Sequence, residues 1–351
     1  MEKIYIVTSG DSFTDSHLPF ISSNDYDSQL GLLDKIEKNA RELFQADYSL
    51  KYQYFLIYEL IKKRIPFEYY NVGKGSAGNH VITHRYRKQV IELLNKGIDP
   101  KNIYGTIQLS GLCRQTDPMY EIEMDLPNVE GANWDYINNV DPNTTKYGDV
   151  LNAQIDNLEN IINWNKQNGI IHFNMFFGWA TYYDDELIQY NAKDKFDKLD
   201  RNFILLYEYK ESIDPQYNNC VGIKKIINSL FNGQKHVIAA GKYGGMSEIA
   251  KEECEVDKYP YISLRDPHLS TFGNYAFYKN YYRILFEKWN VIDNDSIFIS
   301  NEYLKKLFKV VFDANFEYFE KNYDFSDHFT SGPFKEELKF KMYDKYISQL
   351  N

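Results

Sequence analysis

The chain has 351 residues, 43% hydrophobic and 26% charged, with 40 basic against 50 acidic side chains and a formal charge of −10. Such a length and composition exclude a disordered tail, a collagen and a disulfide-built miniprotein, and suffice for a sizeable core. The acidic balance argues against a nucleic-acid partner, because like charges repel and the densest basic cluster, His84-Arg85-Tyr86-Arg87-Lys88, is short.

The elements alternate along the chain. Ile4–Val7 is an apolar run that stops at Ser9-Gly10 and predicts a buried strand meeting a turn. Helical spacing follows over Gln29 to Phe44 and over Tyr52 to Ile61. Phe67–Val72 predicts a strand, then come a glycine-rich turn, Gly73 to Gly78, and a helix from Val81 to Leu94. Ile103–Leu109 predicts a strand ending at Ser110-Gly111. Residues 115–148 lack periodicity, carry Pro118, Pro127 and Pro142, and are expected to be a surface insertion. A helix from Val150 to Trp164 and strands at Ile170–Phe176, Phe203–Tyr207 and His236–Ala240 come next. The last part is helical over Gly273 to Phe286, Asn301 to Tyr318 and Lys335 to Ile347.

Strands separated by helices imply βαβ units and a mainly parallel sheet. In such a sheet ligands sit beyond the carboxyl ends of the strands. Three strands run straight into small or polar residues there: Ser9-Gly10-Asp11-Ser12, Gly73-Lys74-Gly75-Ser76 and Ser110-Gly111. The expected division is one α/β domain over residues 1–290 and a helical C-terminal extension over 291–351 packed on it.

Cys113, Cys220 and Cys254 are scattered and form no Cys-x-x-Cys pair, so neither a disulfide framework nor a thiolate zinc site is expected. His80 and His84 have metal-ligand spacing without a third ligand nearby, and no metal or other cofactor is expected. No stretch approaches the roughly 18 apolar residues of a membrane span. The first residues, MEKIYIVTSGDS, have too short an apolar run for a signal peptide. A cytoplasmic location is the expectation, with virion association or non-classical export as alternatives.

Two sets of residues could do chemistry. Ser12 follows the first strand in Gly10-Asp11-Ser12, where a hydroxyl can be exposed and then activated by a base. Far along the chain stand Asp266-Pro267-His268, in which the proline blocks helix at Asp266 and stiffens the link. A histidine that accepts a serine proton, oriented by a carboxylate, is the triad arrangement.

Together these blocks resemble the SGNH/GDSL hydrolase superfamily of esterases, lipases and acyltransferases. Gly10-Asp11-Ser12 at the chain start looks like its nucleophile block, and Asp266-Pro267-His268-Leu269-Ser270-x-x-Gly273 looks like its last block. The family more often has two residues between the aspartate and the histidine; here there is one. The resemblance implies a three-layer α/β/α sandwich with a mainly parallel, flavodoxin-like sheet. It implies Ser12 as nucleophile, His268 as base and Asp266 as orienting acid. Asn71-Val72-Gly73-Lys74-Gly75-Ser76-Ala77-Gly78-Asn79 is similar to the second block, where a glycine N–H donates to the oxyanion; Gly75 is the choice, with Gly73 and Gly78 as alternatives. The third block departs from the family. Ser110-Gly111-Leu112-Cys113-Arg114 has Cys113 where an asparagine donor belongs, and Arg114, Ser110 or Asn79 are the candidate substitutes.

The implied function is a serine esterase acting through an acyl-enzyme on a small-molecule or glycan ester. The 17% aromatic content leans toward a sugar-linked ester such as a carbohydrate O-acetyl group. The alternatives are a binding or structural protein of the same fold with impaired chemistry, and an acyltransferase. Oligomeric state is not legible in the sequence.

Overall fold

The computed structural model describes residues 2–11, 14, 20–23, 51–75, 77–112, 114–116, 137–139, 146–178, 184–205, 207–208, 243–253, 269 and 271–294. The chain divides into two compact units. The first comprises Met1–Asn24, Arg64–Glu211 and Val237–Ile249, and the second Asp25–Lys63, Ser212–His236 and Ala250–Asn351. Residues 1–290 are thus shared between both units, and 291–351 belong to the second.

The first unit is built on a six-stranded sheet. Its strands are β1 (Ile4–Ser9), β2 (Phe20–Ser22), β3 (Phe67–Asn71), β4 (Ile103–Leu109), β7 (His172–Phe177) and β8 (Ile204–Leu205), in the spatial order β2-β3-β1-β4-β7-β8. The short strands β5 (Arg114–Thr116) and β6 (Ile137–Asn139) pair antiparallel, as do β9 (Tyr207–Glu208) and β10 (Tyr243–Gly244). All neighbours in the large sheet are parallel except β2, which runs antiparallel along the edge of β3. The chain is therefore an α/β protein. Its five parallel strands follow the 2-1-3-4-5 order of one doubly wound class.

The two faces of the sheet differ in chemistry. One presents Val7, Ile103, Ile107, Phe173, Met175 and Phe177, and these join one apolar core with Val81, Ile82, Tyr86, Val90 and Leu93 of the helix Asn79–Asn95. The helix Lys146–Gln167 adds Leu151, Ile155, Leu158, Ile161 and Ile162 to the same core. Burying these side chains supplies the main stabilisation, about 1.5–3 kcal/mol for each large apolar group removed from water. On the other face a transverse row of polar residues crosses four strands: Asn71, Thr8, Thr106 and Asn174, all buried and in register. Thr106 donates its hydroxyl to that of Thr8 at 3.2 Å.

Tyr86 seats its helix on the sheet. Its ring lies over Gly105, where a Cβ would come within 2.2 Å of the tyrosine oxygen. Its hydroxyl donates to Asn165 Oδ1 of the neighbouring helix at 2.9 Å, which satisfies a phenol with no exposure to water. The helix ends where the sequence lets it. Gly97 has φ +78°, and the N–H groups of Gly97 and Ile98 return to the carbonyls of Leu94 and Leu93 at 2.9 and 3.2 Å, a Schellman closure.

The second unit packs the helix Tyr52–Lys62 against a continuous helical rod made of Thr271–Phe277, a π-helical turn Tyr278–Tyr282, and Arg283–Lys288. Tyr52 sets its ring edge-on against Phe277 and Tyr282 at 5.2 and 4.6 Å. Glu59 is buried between them. It accepts two bonds from the Arg283 guanidinium, each 3.1 Å long, and a further one from the Tyr278 hydroxyl. Such a buried carboxylate is tolerable only because every side of it is met by a donor.

The strands at Ile4, Phe67 and Ile103, and the helices at Tyr52, Val81, Val150 and Gly273, form where the periodicity puts them, with ends shifted by a few residues. The expected strand Phe203–Tyr207 divides into β8 and β9. The expected surface insertion 115–148 contains β6, whose pairing with β5 has no apolar alternation to announce it. The helices expected at Gln29–Phe44, Asn301–Tyr318 and Lys335–Ile347, and the strand at His236–Ala240, lie outside the described residues.

Gly105→Ala is expected to lower the unfolding free energy by about 1–3 kcal/mol, because the added methyl meets an immobile Tyr86 ring. A urea denaturation midpoint equal to that of the parent chain would refute this account of the helix seat.

Candidate functional site

The carboxyl edge of the sheet collects the turns singled out by the sequence. From β1 the chain reaches β3 on one side and later β4 on the other, so the strand order reverses at β1. Ligand crevices of doubly wound sheets open at such a reversal, outside the carboxyl ends of the strands. Here those ends are Ser9-Gly10-Asp11 after β1, Val72 to Gly75 after β3, Ser110 to Leu112 after β4 and Gly178 after β7.

Three buried carboxamides tie these ends together. Gln108, with 0% exposure, accepts from the Asp11 N–H at 3.0 Å and from the Thr14 hydroxyl at 3.2 Å, and donates to the Leu109 carbonyl at 2.7 Å. Asn71 donates to the Thr14 carbonyl at 2.8 Å and accepts from the Gly73 N–H at 2.9 Å. Asn79, the first residue of its helix, accepts from the Ser110 N–H at 2.9 Å and donates to the Ser110 carbonyl at 3.2 Å. The first two turns are also joined directly, since Lys74 donates its N–H to the Gly10 carbonyl at 2.8 Å. Each carboxamide offers both an acceptor and a donor, which lets one side chain hold two strands of backbone.

Glycine is required where these backbones close on Gln108. A Cβ on Gly10 would fall 2.6 Å from Gln108 Oε1, and one on Gly178 would fall 2.6 Å from Nε2. Gly178 in turn receives the helix Met246–Glu253: its carbonyl accepts from Ser247 N–H and from the Ser247 hydroxyl at 3.0 and 2.8 Å. Gly245 lies against the backbone of Phe177, with no room for a side chain.

Of the residues expected to form the site, Gly75, Asn79 and Ser110 stand at this edge, and the structure brings Asn79 and Ser110 into contact. Gly73, one of the three candidate oxyanion glycines, donates its N–H to Asn71 Oδ1. Arg114 opens β5, paired with Asn139. Ser12, Asp266, His268 and Cys113 lie outside the described residues. Ser12 falls in a segment of the first unit, and Asp266 and His268 in a segment of the second.

The remaining histidines with described positions lie elsewhere. His80 and His84 are on the helix Asn79–Asn95, half-buried and exposed respectively. Among the described residues no group of three His, Cys, Asp or Glu side chains could hold a metal ion, and no helix is long and apolar enough to cross a membrane. His172 begins β7 at the opposite, amino edge, stacked on Tyr104 with ring centroids 4.6 Å apart. Burial holds its pKa below the ordinary histidine value.

Sequence reasoning missed Gln108 and Asn71 as organising groups. The available signal was an amide side chain inside a predicted strand, which a buried sheet accepts only if its donors and acceptors are met. Comparison with protein-family models, with curated proteins and with solved structures gave no match.

Asn79→Ala leaves the buried Ser110 N–H without its acceptor, and a loss of about 1–3 kcal/mol in unfolding free energy is expected. Faster deuterium exchange at Ser110 should accompany it; an unchanged exchange rate would show that the clamp is dispensable. For His172 the sign follows from its lowered folded pKa. Folding favours the neutral ring, so its contribution is complete above about pH 6.5 and is lost as the pH falls through the lower folded value. The NMR titration midpoint of His172 is expected below that of an unfolded control, and a midpoint at or above the control contradicts it.

Proposed function

We propose that this chain is a serine esterase of the SGNH/GDSL type, with a three-layer α/β/α sandwich around its parallel sheet. The observation that carries the reading is the adjacency of β3, β1 and β4. It sets the turn that leads to Ser12 beside the glycine-rich turn and the Ser110-Gly111 turn, at the strand-order reversal where doubly wound sheets bind ligands. The order of blocks along the chain, with Gly10-Asp11-Ser12 first and Asp266-Pro267-His268 last, supports it further.

In this reading His268 takes the proton of Ser12 as the serine oxygen attacks the acyl carbonyl. Asp266 orients the imidazole and stabilises its protonated form. Backbone N–H groups of Ser12 and of the turn holding Gly75 receive the negative oxygen. The tetrahedral adduct collapses, the ester C–O bond breaks, and the leaving alcohol carries away the proton from His268. Water then attacks acyl-Ser12 by the same route, releasing a carboxylic acid and restoring the hydroxyl. Asn79 and Ser110 are committed to one another, so the side-chain donor that replaces the missing asparagine is assigned to Arg114. The substrate is a small-molecule or glycan ester, and the aromatic richness favours an acetyl group on a sugar.

The absence of the third-block asparagine favours one second reading, a binding protein on the same fold whose chemistry has lapsed. Losing one oxyanion donor costs roughly 2.7–4 kcal/mol of transition-state stabilisation.

Ser12→Ala is expected to abolish turnover of p-nitrophenyl acetate and labelling by a fluorophosphonate probe. Undiminished hydrolysis by that variant would remove Ser12 from the mechanism. A folded parent chain that neither hydrolyses the ester nor takes the probe selects the binding protein.

A further inference from the structure

We infer that Gln108 is a positioning residue that fixes the nucleophile turn. The inference rests on the esterase reading, in which Ser12 carries the attacking hydroxyl. In the chain Ser12 stands between Asp11 and Thr14, and both of these are bound to the same carboxamide oxygen, at 3.0 and 3.2 Å. They are also bound to each other, since Thr14 N–H donates to the Asp11 carbonyl at 2.9 Å. Gln108 therefore holds the backbone N–H before the nucleophile and the Thr14 side chain after it.

The carboxamide is itself locked. Its nitrogen donates to the Leu109 carbonyl at 2.7 Å, and that carbonyl also accepts from the Gly178 N–H at 2.8 Å. Gly10 and Gly178 make room for it, since a Cβ on either would fall 2.6 Å from one of its terminal atoms. The group is fully buried, so water does not compete for the bonds to Asp11 and Thr14. An apolar side chain would fill the same strand position at lower desolvation cost. What glutamine adds is an acceptor at a fixed place, and that acceptor is spent on the turn that leads into Ser12. Nucleophilic attack depends on such placement, because a displacement of about 1 Å at the reacting atom can cost on the order of a hundredfold in rate. Gln108 touches no reacting atom in this role and acts only through the turn.

The test compares the parent full chain with Gln108→Met, which keeps the approximate volume and removes the acceptor, and Gln108→Glu, whose buried carboxyl, held protonated by desolvation, keeps an acceptor for the turn and a donor for Leu109. Three quantities are read: kcat and KM for p-nitrophenyl acetate, the rate of fluorophosphonate labelling at Ser12, and deuterium uptake by the peptide spanning residues 9–16. Gln108→Met is expected to lose on the order of a hundredfold in both kcat and labelling rate, with KM little changed and faster uptake in that peptide. Gln108→Glu is expected to recover most of the loss. A folded Gln108→Met chain with parental kcat and labelling overturns the proposal and leaves the esterase reading standing. So does a loss confined to KM, or a loss that Gln108→Glu does not recover. A parent chain that neither turns over nor takes the probe overturns the esterase reading and this proposal with it. If Gln108→Met does not fold, Thr14→Val removes one of the two donors instead; a smaller fall in kcat is expected, and an unchanged kcat overturns the proposal.

Discussion

Three side-chain amides, Gln108, Asn71 and Asn79, are the constraint on which the carboxyl edge of this sheet depends. Each is almost wholly buried, and each spends its oxygen and its nitrogen on hydrogen bonds to the turns and strand ends of this edge. A strand ladder satisfies its own amides only as far as the strand runs. Beyond Ser9, Asn71 and Leu109 the chain must turn, and its N–H and C=O groups need new partners in a place with little water. A carboxamide is well suited to that need because it carries a donor and an acceptor a short distance apart, without the charge that makes burial costly.

The glycines at the same edge follow from the amides. With Gln108 filling the space between the ends of β1 and β7, no Cβ fits at Gly10 or Gly178. The same steric rule governs the opposite face at Gly105, where the Tyr86 ring occupies the place of a side chain. Close backbone approach on one face sets the helix, and on the other it sets the turns. The polar row of Asn71, Thr8, Thr106 and Asn174 lies on the same face as Gln108, one register position further into the sheet.

A rigid turn edge is what acyl transfer by a serine requires. The oxyanion donors must be in place before charge develops, because a donor that has to reorganise returns part of its benefit. The stitching of Lys74 to Gly10 and of Asn79 to Ser110 ties the turns from which such donors would project in the proposed esterase. The same frame would serve a ligand-binding protein, which is why probe chemistry at Ser12 separates the two readings where architecture does not.

Much of this protein was legible in one dimension. Ile103–Leu109 is a mostly β-prone run closed by Ser110-Gly111, and it forms the strand the sequence describes, because strand and helix propensity arise from neighbours a few residues apart. The alternation of strands and helices likewise determined the α/β class and the parallel pairing. Other features had no local origin. The antiparallel edge strand Phe20–Ser22 is three residues long, too short to show a period. The bond from Asp11 to Gln108 spans 97 positions, and the bonds between Asn79 and Ser110 span 31. Nothing in the chemistry of an isolated glutamine says whether it will face solvent or hold a turn. Only the packing of β1 against β4, and the exclusion of water that comes with it, gave that amide its partners.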